Sequence, residues 1–203
     1  MTANKRYKRA ITGGIGSGKT SFSDILRSLS YTVISADDVY ASLLEDNDFV
    51  LKCSEILGLQ PIKSGDRLVF DRASARKIVF SDAEKRNKLN DFTHSLVYKK
   101  MFEKWEASND KITFFEVPLL FESKGEGLFD HVVVVVRDVS ERIKSIMARD
   151  DVDEQTAIKK ISSQVDYNNL PLDRHTIIVN DKSIFDLRSK AENLISYYTK
   201  TLI

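Results

Sequence analysis

The sequence predicts an α/β fold, a doubly wound sheet of five parallel strands, from three observations. Short apolar runs of strand length alternate with helical periodicities. The first run opens into a glycine-rich loop that is followed at once by a helical pattern. The second and third runs are separated by residues 36–111, which are mostly helical and far more numerous than a simple crossover needs.

The five strand candidates are residues 9–12, 32–35, 112–117, 132–136 and 176–179. Each is short, mostly β-branched, aromatic or aliphatic, and bounded by turn or helix-start residues. Helical spacing of apolar residues marks 21–28, 37–57 with a break near Asp46–Asp48, 72–80, 82–107, 140–149, 154–165 and 184–199. The chain is therefore expected to be one domain. Residues 38–110 form a helical insert beside the sheet, in which only the segment 61–66 looks turn-like, and residues 140–170 form a small helical excursion. That excursion is either a lid over the site or an ordinary amphipathic helix pair with solvated charges.

The loop after the first strand reads Gly13-Gly14-Ile15-Gly16-Ser17-Gly18-Lys19-Thr20, which satisfies G-x-x-x-x-G-K-[ST] between a strand and a helix. Glycines let successive backbone N–H groups turn onto phosphate oxygens, and the following helix aims its positive end at the same place. The motif thus predicts a bound nucleoside triphosphate. Lys19 is expected to reach the β- and γ-phosphates and Thr20 to hold Mg²⁺, with Ser21 extending the grip to the α-phosphate.

Two acids stand where strands end, the side of a doubly wound sheet on which ligands lie. After the second strand comes Ser35-Ala36-Asp37-Asp38. Asp37 suits proton acceptance from an attacking hydroxyl or a share of the Mg²⁺, and equally the capping of the next helix by Asp37 or Asp38. The third strand closes Phe114-Phe115-Glu116-Val117-Pro118, in which Glu116 is either a second acidic residue of the phosphate site or a side chain on an exposed face. Past the fourth strand, Arg142 and Arg149 are candidates to bridge phosphate oxygens from the excursion, Arg149 ranked first.

Composition narrows the classes. Among 203 residues, 31 basic and 30 acidic side chains nearly cancel, so nothing points to nucleic acid or an anionic membrane as partner. Cys53 is the single cysteine, which fits a reducing, cytoplasmic setting. The basic start of the chain lacks the apolar stretch of a secretory leader, and no run approaches the roughly 20 apolar residues of a membrane span. His94, His131 and His175 are too scattered for a metal site, and there is no G-x-S-x-G turn for acyl transfer. Without an N-K-x-D segment, a guanine-dependent switch is disfavoured against an enzyme.

Taken together these residues resemble the dephospho-CoA kinase family of P-loop kinases. The loop with Thr12 is similar to that family's T-G-G-I-G-S-G-K, and Val33-Ile34-Ser35-Ala36-Asp37 to its V-I-D-A-D. Gly65, Asp71-Arg72 and Val79-Phe80-Ser81-Asp82 follow its turn, D-R and V-F-S-D. Leu89 with His94, Val117-Pro118-Leu119-Leu120-Phe121-Glu122, Arg149-Asp150, Gln164 and Asn180 complete the ordered set. The resemblance implies transfer of the γ-phosphoryl of ATP, with Mg²⁺, to the ribose 3′-hydroxyl of dephospho-CoA. It implies Asp37 as base and ATP held by residues 14–21, Arg142 and Asn180. Dephospho-CoA is implied at Asp37, Arg72, Arg76, His94, Pro118, Leu119 and Glu122, with a monomer favoured. Departures stand at Ser35, Ala41, Ser95, Ser145 and Arg174-His175. The alternatives kept open are another small P-loop kinase acting on a nucleoside, nucleotide or related alcohol, and a nucleotide-dependent binding switch.

Overall fold

The computed structural model describes residues 5–167, 170 and 175–201. The chain divides into two compact units, Met1–Ile34 with Asn109–Ile203, and Ser35–Ser108. Arg174, one of the departures named above, lies outside the described residues.

The first unit is built on the expected parallel sheet. Its strands are β1 (Tyr7–Thr12), β2 (Val33–Ser35, whose last residue begins the second unit), β5 (Ile112–Glu116), β6 (His131–Val136) and β7 (His175–Val179), in spatial order β2-β5-β1-β6-β7. β1 runs down the middle, with Ala10 opposite Phe115 of β5 and Val132 of β6. Every residue of β5 is buried, and so are the four central residues of β6. Strands covered on both faces need continuous apolar runs, which is why H-V-V-V-V-V reads as it does.

Helices α1 (Lys19–Ser28) and α8 (Ile184–Thr201) cover the sheet with apolar stripes, Phe22, Ile25 and Leu26 on one and Leu187, Ala191, Leu194 and Tyr198 on the other. Both stripes enter one cluster with Ile11, Phe114, Val133 and Val135. The excursion after β6 is helical as expected: α6 (Val139–Asp150) is capped by Asp138 and α7 (Glu154–Ser162) by Asp153. A 3₁₀ turn (Glu126–Leu128) sits between β5 and β6. No helix among the described residues is long and apolar enough to cross a membrane.

The start of β6 holds a titratable cluster. The Arg9 guanidinium lies 4.5 Å from the Tyr198 ring centroid, and His131 Nε2 is 2.9 Å from Thr176 Oγ1 with its ring edge-on to Tyr198. Burial, Arg9 and His175 push the His131 imidazole below its ordinary value. A histidine whose folded value is depressed contributes its full stability above the unfolded value of about 6.5, and loses it as the pH falls toward the depressed one. Melting temperatures measured from pH 8 down to 5 are therefore expected to fall less steeply for His131→Asn than for the unaltered chain. Parallel curves would remove His131 from the acid limb.

The second unit contains α2 (Ala36–Leu43), α3 (Asn47–Leu57), β3 (Ile62–Ser64), β4 (Arg67–Val69), α4 (Arg72–Ser81) and α5 (Ala83–Ala107). Carboxylates start α3, α4 and α5: Asp46 accepts from the N–H of Asp48 and Phe49, Asp71 from Ala73 and Ser74, and Asp82 from Lys85. The break expected near Asp46–Asp48 therefore falls just before Asn47, with Asp46 as the cap. Phe49, Val50, Cys53 and Leu57 of α3 are buried together with Val97 and Met101 of α5, and Phe49 stacks on Phe92 at 5.8 Å.

One expectation is corrected here. The segment 61–66 is not merely a turn but half of an antiparallel hairpin, with Ile62 paired to Val69 and Ser64 to Arg67. Its strands are three residues long and almost wholly exposed, so they carry no alternation of apolar and polar residues to read. Register comes from elsewhere: Asn47 donates to Asp66 O at 3.1 Å and accepts from Leu68 N–H at 2.8 Å.

Candidate active site

The phosphate loop lies at the C-terminal end of the central strand, between Thr12 of β1 and Lys19 of α1. α1 has no acidic residue in its first turn and no side-chain cap, so its own residues leave the positive end uncompensated for an anion. Gly13 shows why the loop must approach so closely. Its φ is +148°, and a Cβ there would fall on the carbonyl oxygen of Val135 in β6. The Lys19 ammonium is held at the loop, donating to Gly13 O at 2.8 Å and Gly14 O at 3.1 Å. Those carbonyls keep the charge beside the loop.

Glu116 is buried, 6% exposed, and accepts the Thr20 hydroxyl at 2.9 Å. The exposed-face alternative for Glu116 is thereby excluded. The two side chains form an oxygen-donor pair at the mouth of the loop, which is the chemistry Mg²⁺ takes when it is bound by one or two protein groups together with substrate phosphates. A buried carboxylate bonded to a neutral hydroxyl also gains from a cation.

The excursion reaches the loop through its side chains. Arg142, 8% exposed, donates through Nε to Ile15 O at 2.9 Å. Gln164, just past α7, accepts the Ile15 N–H at 2.6 Å. Burial in this packed position lowers the tendency of Arg142 to hold its proton, and Tyr167 and Asp166 oppose the effect. Arg149, the arginine ranked first from sequence, is instead paired with Asp150 through Nε at 2.7 Å and Nη2 at 3.1 Å. Lys160 joins the same carboxylate at 2.6 Å, and the pairings hold Asp150 well below the usual carboxylate range. Thus Arg142 touches the phosphate loop, whereas Arg149 is organised within its own excursion.

Three further expected residues make their contacts within the first unit. Asn180, just beyond β7, donates to Ser17 O at 3.0 Å. Pro118 and Glu122 gather the end of the excursion: the Tyr167 hydroxyl donates to Pro118 O and Glu122 Oε2, both at 3.3 Å, and Glu122 Oε1 accepts the Val165 N–H at 3.3 Å. Burial and the Glu122 charge push the Tyr167 phenol far up. Leu119 is exposed, 44%, and makes no part of this network's hydrogen bonds. Tyr167 carried no signal in the sequence, because its partners lie 45 and 49 residues away and share no spacing with it.

The remaining expected residues belong to the second unit. Ser35 caps α2, its hydroxyl accepting the Asp38 N–H at 3.2 Å. The capping alternative for Asp37 and Asp38 is corrected: the serine standing where the family has aspartate does that work, and Asp37 is left exposed in the first turn of α2. Arg72 and Arg76, one turn apart on α4, line a cavity of about 320 Å³ with Tyr40, Cys53, Phe70 and Leu89. Burial pushes the Cys53 thiol up to about 12, so it stays protonated and unreactive at neutral pH. His94 is half-buried on α5, and desolvation lowers its value against the opposing charge of Asp91. In the first unit, Ser145 accepts from Arg137 Nη1 at 2.9 Å where a basic residue is frequent in the family.

Comparison with known proteins adds an independent line. A family model described as dephospho-CoA kinase matches residues 9–186. The chain is similar to the dephospho-CoA kinase of Listeria monocytogenes, 29% identical over 195 residues that cover 94% of this chain and 96% of that one. It is 31% identical to the enzyme of the same name from Fusobacterium nucleatum over 182 residues, 90% of this chain and 93% of the other. Among solved structures, a protein of Thermus thermophilus superposes with a TM-score of 0.81 at 26% identity, covering 95% of this chain and 98% of its own. A dephospho-CoA kinase from Campylobacter jejuni superposes at 0.69 with 28% identity, covering 97% and 98%.

Proposed function

We propose that this chain, which belongs to the dephospho-CoA kinase family, moves the γ-phosphoryl of ATP onto the ribose 3′-hydroxyl of dephospho-CoA, giving CoA and ADP. The observation that carries the reading is the phosphate loop with Lys19 folded onto it and Thr20 paired to buried Glu116, inside a chain that matches the family from residue 9 to 186.

In this reaction the protein has little covalent work to do; it positions reactants and neutralises charge. Thr20 and Glu116 are the residues that would hold Mg²⁺, which when bound offsets charge on the phosphate oxygens. Loop N–H groups and the N-terminus of α1 grip the phosphate chain. Lys19 exchanges its carbonyl partners for phosphate oxygens. The acceptor oxygen forms a bond to the γ-phosphorus as the bond from that phosphorus to the β,γ-bridging oxygen breaks, the electron pair leaving with ADP. The hydroxyl proton passes to the Asp37 carboxylate. The excursion acts as the lid; Arg142 serves the transferring phosphoryl from beside the loop, and Arg149 does so on leaving Asp150. As the family resemblance implies, Asn180 is assigned to ATP, and Arg72, Arg76, His94, Pro118, Leu119 and Glu122 to dephospho-CoA. A cytoplasmic monomer belongs to the same proposal; the single cysteine, Cys53, fits a reducing compartment.

The test is direct. Purified protein with ATP, dephospho-CoA and Mg²⁺ is expected to release ADP and CoA in equal amounts, and to stop when the metal is chelated. An acceptor panel of nucleoside monophosphates and sugar-like alcohols should be used more slowly; preference for a nucleoside monophosphate would overturn the reading.

A further inference from the structure

Ile15, the tip of the phosphate loop, has both of its backbone groups taken by residues more than a hundred positions away. Its N–H donates to Gln164 Oε1 at 2.6 Å and its carbonyl accepts from Arg142 Nε at 2.9 Å. The arginine is buried, and the loop makes room for it, since a Cβ on Gly14 would collide with the guanidinium. The glutamine does not hang free. Its own N–H donates to Ile161 O at 3.2 Å at the end of α7, and the following residues are fastened by Val165 N–H to Glu122 and by the Tyr167 hydroxyl to Glu122 and Pro118. Tyr167 is 4% exposed and meets the Phe121 ring edge-on at 5.8 Å. A strap of residues 164–167 is thus anchored on the turn after β5 and ends on the loop.

Two roles fit an amide oxygen on a loop N–H. A gate would compete with phosphate for that N–H and leave when ATP arrives. A brace would stay, fixing the Ile15 peptide so that the remaining N–H groups point at the phosphates before ATP binds. We infer that Gln164 is a brace, a positioning residue that sets the tip of the phosphate loop together with Arg142. The anchored strap and the short hydrogen bond favour holding over exchange. In consequence the grip expected over residues 14–21 loses the Ile15 N–H. Each backbone group of Ile15 is tied to a different part of the excursion, the carbonyl to Arg142 on α6 and the N–H to Gln164 past α7. The inference rests on the reading that this loop binds ATP.

Preorganised donors bind more tightly than donors that must be ordered on binding. Titration calorimetry with ATP and Mg²⁺, without acceptor, is expected to show Gln164→Ala binding roughly five- to tenfold more weakly than the unaltered protein, the scale of one lost hydrogen bond. Its melting temperature should fall by no more than about 5 °C, and its KM for ATP should rise by more than its kcat falls. Gln164→Glu keeps an acceptor oxygen but sets a charge near the phosphates. Its deficit against the unaltered protein at the same pH should narrow as the pH drops from 8 to 5 and the carboxylate gains a proton. Equal affinity in Gln164→Ala overturns the brace, and tighter binding replaces it with the gate. If the unaltered protein itself binds no ATP, the reading beneath the inference fails with it.

Discussion

Asp37→Asn is expected to lower kcat with dephospho-CoA by about a hundredfold or more, the scale of a lost general base, while the affinity for ATP stays within a few-fold. The structure sharpens this expectation by removing its rival. Were Asp37 the cap of α2, the substitution would act through stability, but Ser35 holds that position and bonds the Asp38 N–H at 3.2 Å. Asp37 is exposed in the first turn, where losing its charge costs the helix only about 0.3–1 kcal/mol. Activity and stability therefore separate in one variant. Steady-state rates, ATP titration and a melting curve measure all three quantities; turnover within threefold of the unaltered protein would take Asp37 out of the mechanism.

Gly13→Ala is expected to damage both fold and function. The added methyl would meet the Val135 carbonyl and, at 2.9 Å, the Ser17 hydroxyl, from a backbone with φ of +148°. Val135 is fully buried in β6 and paired in register with Ile178 of β7, so the strand has nowhere to move. Backbone strain and overpacking together are worth roughly 2–4 kcal/mol. For a chain of this size that corresponds to a melting temperature lower by roughly 5–15 °C. Displacing the loop should also weaken ATP binding. Gly127→Ala is the control, because a Cβ there has nothing within 4 Å; its change should stay within about 0.5 kcal/mol. A Gly13→Ala protein melting within about 2 °C of the unaltered one would show that the loop and β6 have slack which the packing does not suggest.

Some of the site was legible because its chemistry is local. The phosphate loop needs glycines, a lysine and a hydroxyl at fixed spacing between a strand and a helix, and all are contiguous from Gly13 to Thr20. The sheet was legible for a similar reason: strands buried on both faces must be apolar throughout, so β5 and β6 announce themselves. The β3–β4 hairpin failed that test. Its residues face solvent, and Asn47 rather than a hydrophobic pattern sets its register.

Residues whose task is to touch something distant were less legible. Arg142 and Arg149 look alike in sequence, both following β6 on one helix. Only the folded chain shows Arg142 on Ile15 and Arg149 on its neighbour Asp150. Glu116 could have faced either way, and burial against Thr20 decides it. Tyr167 offered no signal at all, although it anchors the strap that carries Gln164 to the loop. The sequence by itself determined the parallel sheet and the phosphate loop, since periodicity and motif spacing act over a few residues, and its ordered resemblance to a kinase family implied the reaction class. Tertiary structure alone decided which acid meets Thr20, which arginine reaches the loop and what holds Ile15, because those contacts join residues 96 to 149 positions apart and no local pattern encodes them.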